Sequence, residues 1–177
     1  VIADAGAYPA IGGFLTFFTQ TMIQGVYEIP KIRYHAQSAA TNTTHTAAYR
    51  GAGRPEATQL LERLIDVAAD DLGLDPAEIR LKNFISEDAF PITTLGGANY
   101  DSGDYALALN RALEEADYGT LLTEQQTRRE EGGTKQLGIG LWYKCIRRTS
   151  RTCCNFKWRR RVWRLSHVNL YCRFKVN

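Results

Sequence analysis

The stretch Ala48-Tyr49-Arg50-Gly51-Ala52-Gly53-Arg54-Pro55-Glu56-Ala57 constrains this chain more than any other. Two arginines, two glycines and an alanine fill positions 50–54, and an apolar pattern at helical spacing begins directly after them. Glycine adopts positive φ without a Cβ penalty and lets a neighbouring group approach the backbone. A helix start supplies N–H groups with no intrahelical acceptor, which suit an anion. Arginine adds a planar, permanently charged fork matched to phosphate or to an oxyanion. The local chemistry is that of a turn able to cradle an anionic ligand. The same composition also serves a plain connecting turn, so the loop needs its context.

That context is a chain of mixed local patterns. Residues 1–8 read as a strand ending at Tyr8-Pro9. After Gly12-Gly13, Phe14, Leu15, Phe17, Phe18, Met22 and Ile23 recur at helical spacing up to Gly25, and the Phe14-Phe18-Met22 stripe is expected to face the core. Residues 26–33 are expected to be extended around Pro30, and 32–39 to continue as a strand. Residues 41–46 are rich in hydroxyls that bond nearby backbone. Pro55 suits a first helical position. A helix over 55–73 is predicted, with Leu61, Leu64, Ile65, Ala68 and Leu72 on its apolar face and Gly73 ending it. Asp75-Pro76-Ala77-Glu78 is a second start signal, for a helix reaching Asn83. Residues 91–103 read as a loop turning at Gly96-Gly97. Asp101 or Ser102 is expected to cap the next helix, whose face is Tyr105, Leu109, Ala112, Leu113 and Ala116. Residues 121–131 form a polar helix stopped by Gly132-Gly133, and 135–141 a strand. The order is neither strictly alternating nor all-helical, so the expected fold class is α+β.

Composition changes abruptly at residue 142. Residues 142–177 hold 11 of the 22 Lys and Arg and no Asp or Glu, whereas residues 1–141 hold all 19 acids, all 15 glycines and all five prolines. All four cysteines and all three tryptophans lie in the later part. One reading of Arg159-Arg160-Arg161 between Trp158 and Trp163 is a tail that binds nucleic acid by phosphate contacts and stacking. The plainer reading, which we adopt, is a non-family tail of frameshift or intron origin that packs into no domain of its own. Cys145, Cys153, Cys154 and Cys172 lack a C-x-x-C spacing, and His167 with Cys172 is a pair rather than a metal site. His35 and His45 are lone histidines near the loop, and Asp4, Asp101 and Asp104 read as turn and cap residues. Residues 11–26 are too short and too polar to span a bilayer, and no basic leader precedes Asp4. The absence of cysteine from residues 1–141 fits a reducing compartment. The first residue is not Met, so the chain reads as a fragment.

The string Ala-Tyr-Arg-Gly-Ala-Gly-Arg at 48–54 resembles the active-site loop of the molybdenum hydroxylases, the family of xanthine dehydrogenases, aldehyde oxidases and aerobic carbon monoxide dehydrogenase large subunits, in the form II version of the last. Val1-Ile2-Ala3-Asp4-Ala5-Gly6-Ala7-Tyr8, Tyr27-Glu28-Ile29-Pro30-Lys31-Ile32, Thr41-Asn42-Thr43, Arg80-Leu81-Lys82-Asn83-Phe84-Ile85 and Gln136-Leu137-Gly138-Ile139-Gly140-Leu141 resemble other segments of that family, in the same order. The resemblance implies that residues 1–141 are a partial molybdopterin-binding domain. It further implies that Arg50, Gly51, Ala52, Gly53 and Arg54 lie against a molybdenum–molybdopterin cofactor, in cytosine dinucleotide form in bacterial relatives.

In such a family the reaction inserts oxygen derived from water into a C–H bond. Electrons leave through [2Fe-2S] clusters and FAD on partner subunits, in a cytoplasmic dimer of heterotrimers. Ala52 stands where carbon monoxide-oxidising members carry a copper-holding cysteine and where xanthine dehydrogenases carry a substrate-stacking aromatic. Alanine does neither, so no molybdenum–copper centre is expected. The family's general base is a glutamate in a segment downstream, and a glycine-rich cofactor loop lies upstream. No catalytic residue or protein metal ligand is therefore expected within this chain. The resulting expectation is an oxidoreductase fragment, inactive alone. The alternatives are a non-catalytic basic protein binding nucleic acid through its tail, or an inactive truncated product.

Overall fold

The computed structural model describes residues 1–143 and the backbone of a strand at 168–172. Strand β1 (Ile2–Gly6) runs into a short 3₁₀ turn and helix α1 (Leu15–Thr21). Strand β2 (Gln37–Ala40) pairs in parallel with β1, Ile2 opposite Gln37 and Asp4 opposite Ala39. Then follow α2 (Arg54–Leu72), α3 (Pro76–Asn83), a small antiparallel hairpin of β3 (Ile92–Thr93) and β4 (Asn99–Tyr100), α4 (Tyr105–Glu115) and α5 (Tyr118–Glu130). Strand β5 (Ile139–Tyr143) pairs antiparallel with β6 (Val168–Cys172). Helices and strands are mixed without strict alternation, so the class is α+β.

Local chemistry accounts for the helix ends. Asp75 caps α3 by accepting from the N–H of Ala77 at 2.7 Å and of Glu78 at 3.3 Å, with Pro76 in the first turn. Gly73 ends α2 in a left-handed conformation, φ 64°. The cap of α4 is Asp104, not Asp101 or Ser102, because the Asp104 carboxylate is the one that reaches the N–H of Leu107, at 2.8 Å.

The core gathers Val26, Tyr27, Leu61, Phe84, Ile85, Tyr100, Tyr105, Leu109, Ala112 and Tyr143. Aromatic rings dominate it. Tyr27 stacks on Phe84 at 5.4 Å, and Tyr105 and Tyr143 meet Phe84 edge-on at 6.0 and 5.2 Å. The α4 face expected from spacing is the one that packs, through Tyr105, Leu109 and Ala112. Trp142 is half-buried, and Tyr143 carries β5 two residues past Leu141 into this core. Trp158 and Trp163 lie outside the described residues.

Three expectations from periodicity fail. The Phe14-Phe18-Met22 stripe is not core: Phe14 is 64% exposed, and α1 buries Thr19 instead. The helix begins only at Leu15, so Phe14 and Met22 lie off its ends and the stripe never forms one face. On α2, Leu61 is buried but Leu64 and Leu72 are 63% and 66% exposed. The helix turns Ala57, Leu61, Glu62 and Ala69 inward with Ile65 packed against the core, Leu72 is exposed as the last residue of the helix, and Glu62 pairs with a buried arginine on α3. The strand expected over 32–39 is confined to β2, whose residues are all exposed.

Beneath the aromatic core lies that ionic knot. The Arg80 side chain is 1% exposed. Its Nε donates to Glu62 Oε2 at 2.9 Å, its Nη2 to Asp66 Oδ1 at 2.8 Å and to the Leu141 carbonyl at 2.9 Å, and its Nη1 to the Pro76 carbonyl at 2.8 Å. Tyr27 completes Glu62 by donating its hydroxyl to Oε1 at 2.8 Å. One guanidinium thus joins α2, α3 and β5.

Candidate functional site

The loop at 41–53 connects β2 to α2, and its form follows from two anchors. At the near end the Asp4 carboxylate accepts from Thr41 Oγ1 at 2.7 Å, Thr43 Oγ1 at 3.0 Å and the Gly6 N–H at 2.8 Å, while Thr46 Oγ1 donates to the Asp4 carbonyl at 3.2 Å. These bonds, the Thr41 hydroxyl first, hold the Asp4 carboxyl below its ordinary pKa. Asp4 is therefore more than a turn residue: it ties the incoming segment to β1.

At the far end the chain makes three left-handed residues in succession, Gly51 at φ 113°, Ala52 at φ 35° and Gly53 at φ 87°. Two tight bonds hold the turn, Ala52 N–H to the Tyr49 carbonyl at 3.3 Å and Arg54 N–H to the Gly51 carbonyl at 3.1 Å. Ala52 carries a Cβ in that region, a strain of about 1–2 kcal/mol that the flanking glycines and helix over-determine. Gly53 has a reason inside the protein. A Cβ there would lie 2.5 Å from the Phe18 carbonyl carbon and from the Thr19 nitrogen, so the loop is seated on the backbone of α1. Gly51 is likewise pressed on Pro55, with a Cβ position 2.9 Å from the Pro55 Cδ.

The two arginines part company. Arg50 is exposed, and no group among the described residues bonds its guanidinium. Arg54 folds back: its Nη1 donates to the Gly51 carbonyl at 3.4 Å, and its Nε is buried. Tyr49 stands 89% exposed beside Arg50. His45 and His35 are exposed, and neither joins the loop's bonds through its ring, although the His35 carbonyl accepts from the chain's first amino group at 2.7 Å. Asp101 is exposed and Asp104 is a cap. Among the described residues no three His, Cys, Asp or Glu side chains gather to hold a metal ion.

The order strand, loop, helix therefore presents one free fork, Arg50, on a small-residue turn ahead of a 19-residue helix. Arg80 is what sequence reasoning missed here. It was visible only as part of a string, yet it holds α2, the helix that carries the loop, against α3 and β5. The signal available was an Arg at i, i+4 from Pro76 on a helix facing a Glu on its neighbour, and that geometry exists only once the helices pack.

Residues 1–84 match the molybdopterin cofactor-binding domain family. The chain is 41% identical over 146 residues to the carbon monoxide dehydrogenase large chain of Hydrogenophaga pseudoflava, covering 80% of this chain and 18% of that one. It is 35% identical over 117 residues to the nicotine 6-hydroxylase large subunit of Paenarthrobacter nicotinovorans, covering 66% of this chain and 14% of the relative. The fold superposes on quinoline 2-oxidoreductase of Pseudomonas putida 86 with a TM-score of 0.72 at 32% identity, over 81% of this chain and 18% of that one. The chain thus spans less than a fifth of the length of these relatives. By these matches the chain belongs to the molybdenum hydroxylase family and corresponds to a part of the large chains of these relatives.

Proposed function

We propose that residues 50–54 are the cofactor-facing loop of a molybdenum hydroxylase, with Arg50 as its anion-binding group and Gly51, Ala52, Gly53 and Arg54 as its frame. The observation that carries the reading is the unbonded Arg50 fork on three consecutive left-handed residues directly before α2. The donor set fits the group. A guanidinium matches the phosphate and oxygen-rich edges of a molybdopterin, and the start of α2 adds favourable dipole for negative charge. When bound, the cofactor supplies the redox chemistry by which oxygen derived from water enters a C–H bond.

The chain's own part is positional. Arg50 compensates cofactor charge, the left-handed turn aims it, and Asp4 with Thr41, Thr43 and Thr46 holds the approach to the turn. Ala52 offers neither a sulfur for copper nor an aromatic face. We therefore assign the parent subunit to hydroxylation of an organic substrate rather than to a molybdenum–copper reaction. The finer assembly belongs to the same proposal: a cytosine dinucleotide cofactor, FAD and [2Fe-2S] partner subunits, a dimer of heterotrimers, and a cytoplasmic site. The same proposal assigns residues 1–141 to the partial cofactor domain and 142–177 to a non-family tail. No helix among the described residues is long and apolar enough to cross a membrane.

The test is Arg50→Ala in a full-length relative that carries the same loop. Loss of a charge-assisted hydrogen bond, about 1.5–3 kcal/mol, lowers cofactor affinity by about one to two decades while the fold survives. Arg50→Lys restores part of it, since an ammonium lacks the planar fork. Unchanged molybdenum content and turnover in Arg50→Ala would remove Arg50 from the site.

A further inference from the structure

Arg54 holds the one buried side-chain nitrogen or oxygen among the described residues that no protein group bonds, its Nε. A charged donor left without an acceptor costs more than a neutral one, and such groups are ordinarily completed by ordered water. Beside Arg54 is a narrow pocket of about 10 Å³, lined by Met22, Gly25, Ala57, Thr58, Leu61 and Tyr143. That volume is the room of a single water, and Arg54 is itself one of the residues that line it. The rest of the fork is turned onto the loop, with Nη1 reaching the Gly51 carbonyl that also takes the Arg54 N–H.

We propose that Arg54 is a positioning residue rather than a second anion contact. It braces the Gly51–Gly53 turn through the Gly51 carbonyl, and its Nε–H is donated to one resident water in the pocket between α2, β5 and the segment that follows α1. The brace joins the turn to the core at Leu61 and Tyr143, so the strained Ala52 conformation is held from beneath before any ligand arrives. Arg50 is left as the free fork of the loop. The relevance of this brace to a cofactor rests on the reading above; the brace itself does not.

Arginine Nε–H resonances of the whole 177-residue chain provide the test, assigned by through-bond correlation so that no variant is needed. The Arg54 Nε–H exchanges with bulk solvent at least about tenfold more slowly than that of Arg50, as expected for a protected donor, and shows a cross-peak to a bound water. In Arg54→Lys the amides of Ala52 and residue 54 lose exchange protection and the Gly51–Gly53 resonances move, while the core resonances of Leu109 and Tyr105 stay in place. Exchange of the Arg54 Nε–H as fast as that of Arg50, or its protection without a water cross-peak, would overturn the proposal. So would an Arg54→Lys loop indistinguishable from wild type, the outcome expected of an anion contact with no ligand present. Retention of cofactor by Arg50→Ala in a relative would sink the functional reading and leave this result standing.

Discussion

Replacement of Arg80 by methionine is the perturbation that most directly tests how the loop-bearing helix is held. Met fills much of the same space but leaves Glu62, a carboxylate 5% exposed, without its cation. Burial alone already pushes the Glu62 pKa up, with Arg80 and the Tyr27 hydroxyl opposing that push. On Arg80, burial disfavours the charge, but Glu62, Tyr27 and Asp66 outweigh it and its pKa lies above the ordinary value. Removing one partner of a buried pair costs about 3–5 kcal/mol, chiefly because the remaining charge is stranded. The carbonyls of Pro76 and Leu141 also lose their donor. With a urea slope of about 1–3 kcal/mol/M, the midpoint falls by about 1–5 M, or the chain is unfolded in buffer if its total stability is near the low end of about 5–15 kcal/mol. Urea titration followed by far-ultraviolet circular dichroism measures it. The triple variant Tyr27→Phe, Glu62→Leu, Arg80→Met removes the buried part of the knot and recovers most of the loss, since the remaining Asp66, its side chain 33% exposed, keeps its hydration and no buried charge is stranded. An Arg80→Met cost below about 1 kcal/mol, the range of exposed pairs, would show that the knot does not hold α2 and would refute the reasoning.

Three further outcomes are expected. Leu61→Ala destabilises by about 2–5 kcal/mol whereas Leu64→Ala changes stability by no more than about 0.5 kcal/mol, read as urea midpoints; equal effects would mean that the inward face of α2 is misplaced. Gly53→Ala costs at least about 1–2 kcal/mol from its left-handed backbone, with the clash against Phe18 and Thr19 added, and thermal unfolding at wild-type temperature would count against the seating of the loop on α1. Because the folded pKa of Asp4 lies below its ordinary 3.8, its bonds contribute stability above that value and lose it as pH falls through the lower folded pKa. Acid titration of the Thr41 and Thr43 resonances therefore shows a step below pH 3.8 that Asp4→Asn abolishes; a step at or above 3.8 contradicts the depressed carboxyl.

Much of this protein was already decided by local chemistry. Asp75-Pro76 starts a helix wherever it stands, because the carboxylate meets the free N–H groups and proline gives up none that was needed. Gly73 ends one for the converse reason. The Gly51-Ala52-Gly53 turn ahead of Pro55, the hairpin around Gly96-Gly97 and the α4 face through Tyr105, Leu109 and Ala112 are likewise written in neighbouring residues. What only the tertiary structure decided is which side of each helix faces inward and which charges are spent. Leu61, Leu64 and Leu72 look alike along the chain, but the buried arc of α2 runs through Ala57, Leu61, Glu62 and Ala69, so Leu64 falls beside it, and Leu72, nearly in line with Leu61, is exposed at the last residue of the helix. Arg50 and Arg54 are two arginines of one motif, four residues apart. Only the seating of the turn on α1 leaves the first free and folds the second back onto Gly51, because a side chain's partners depend on groups that the fold brings from elsewhere in the chain.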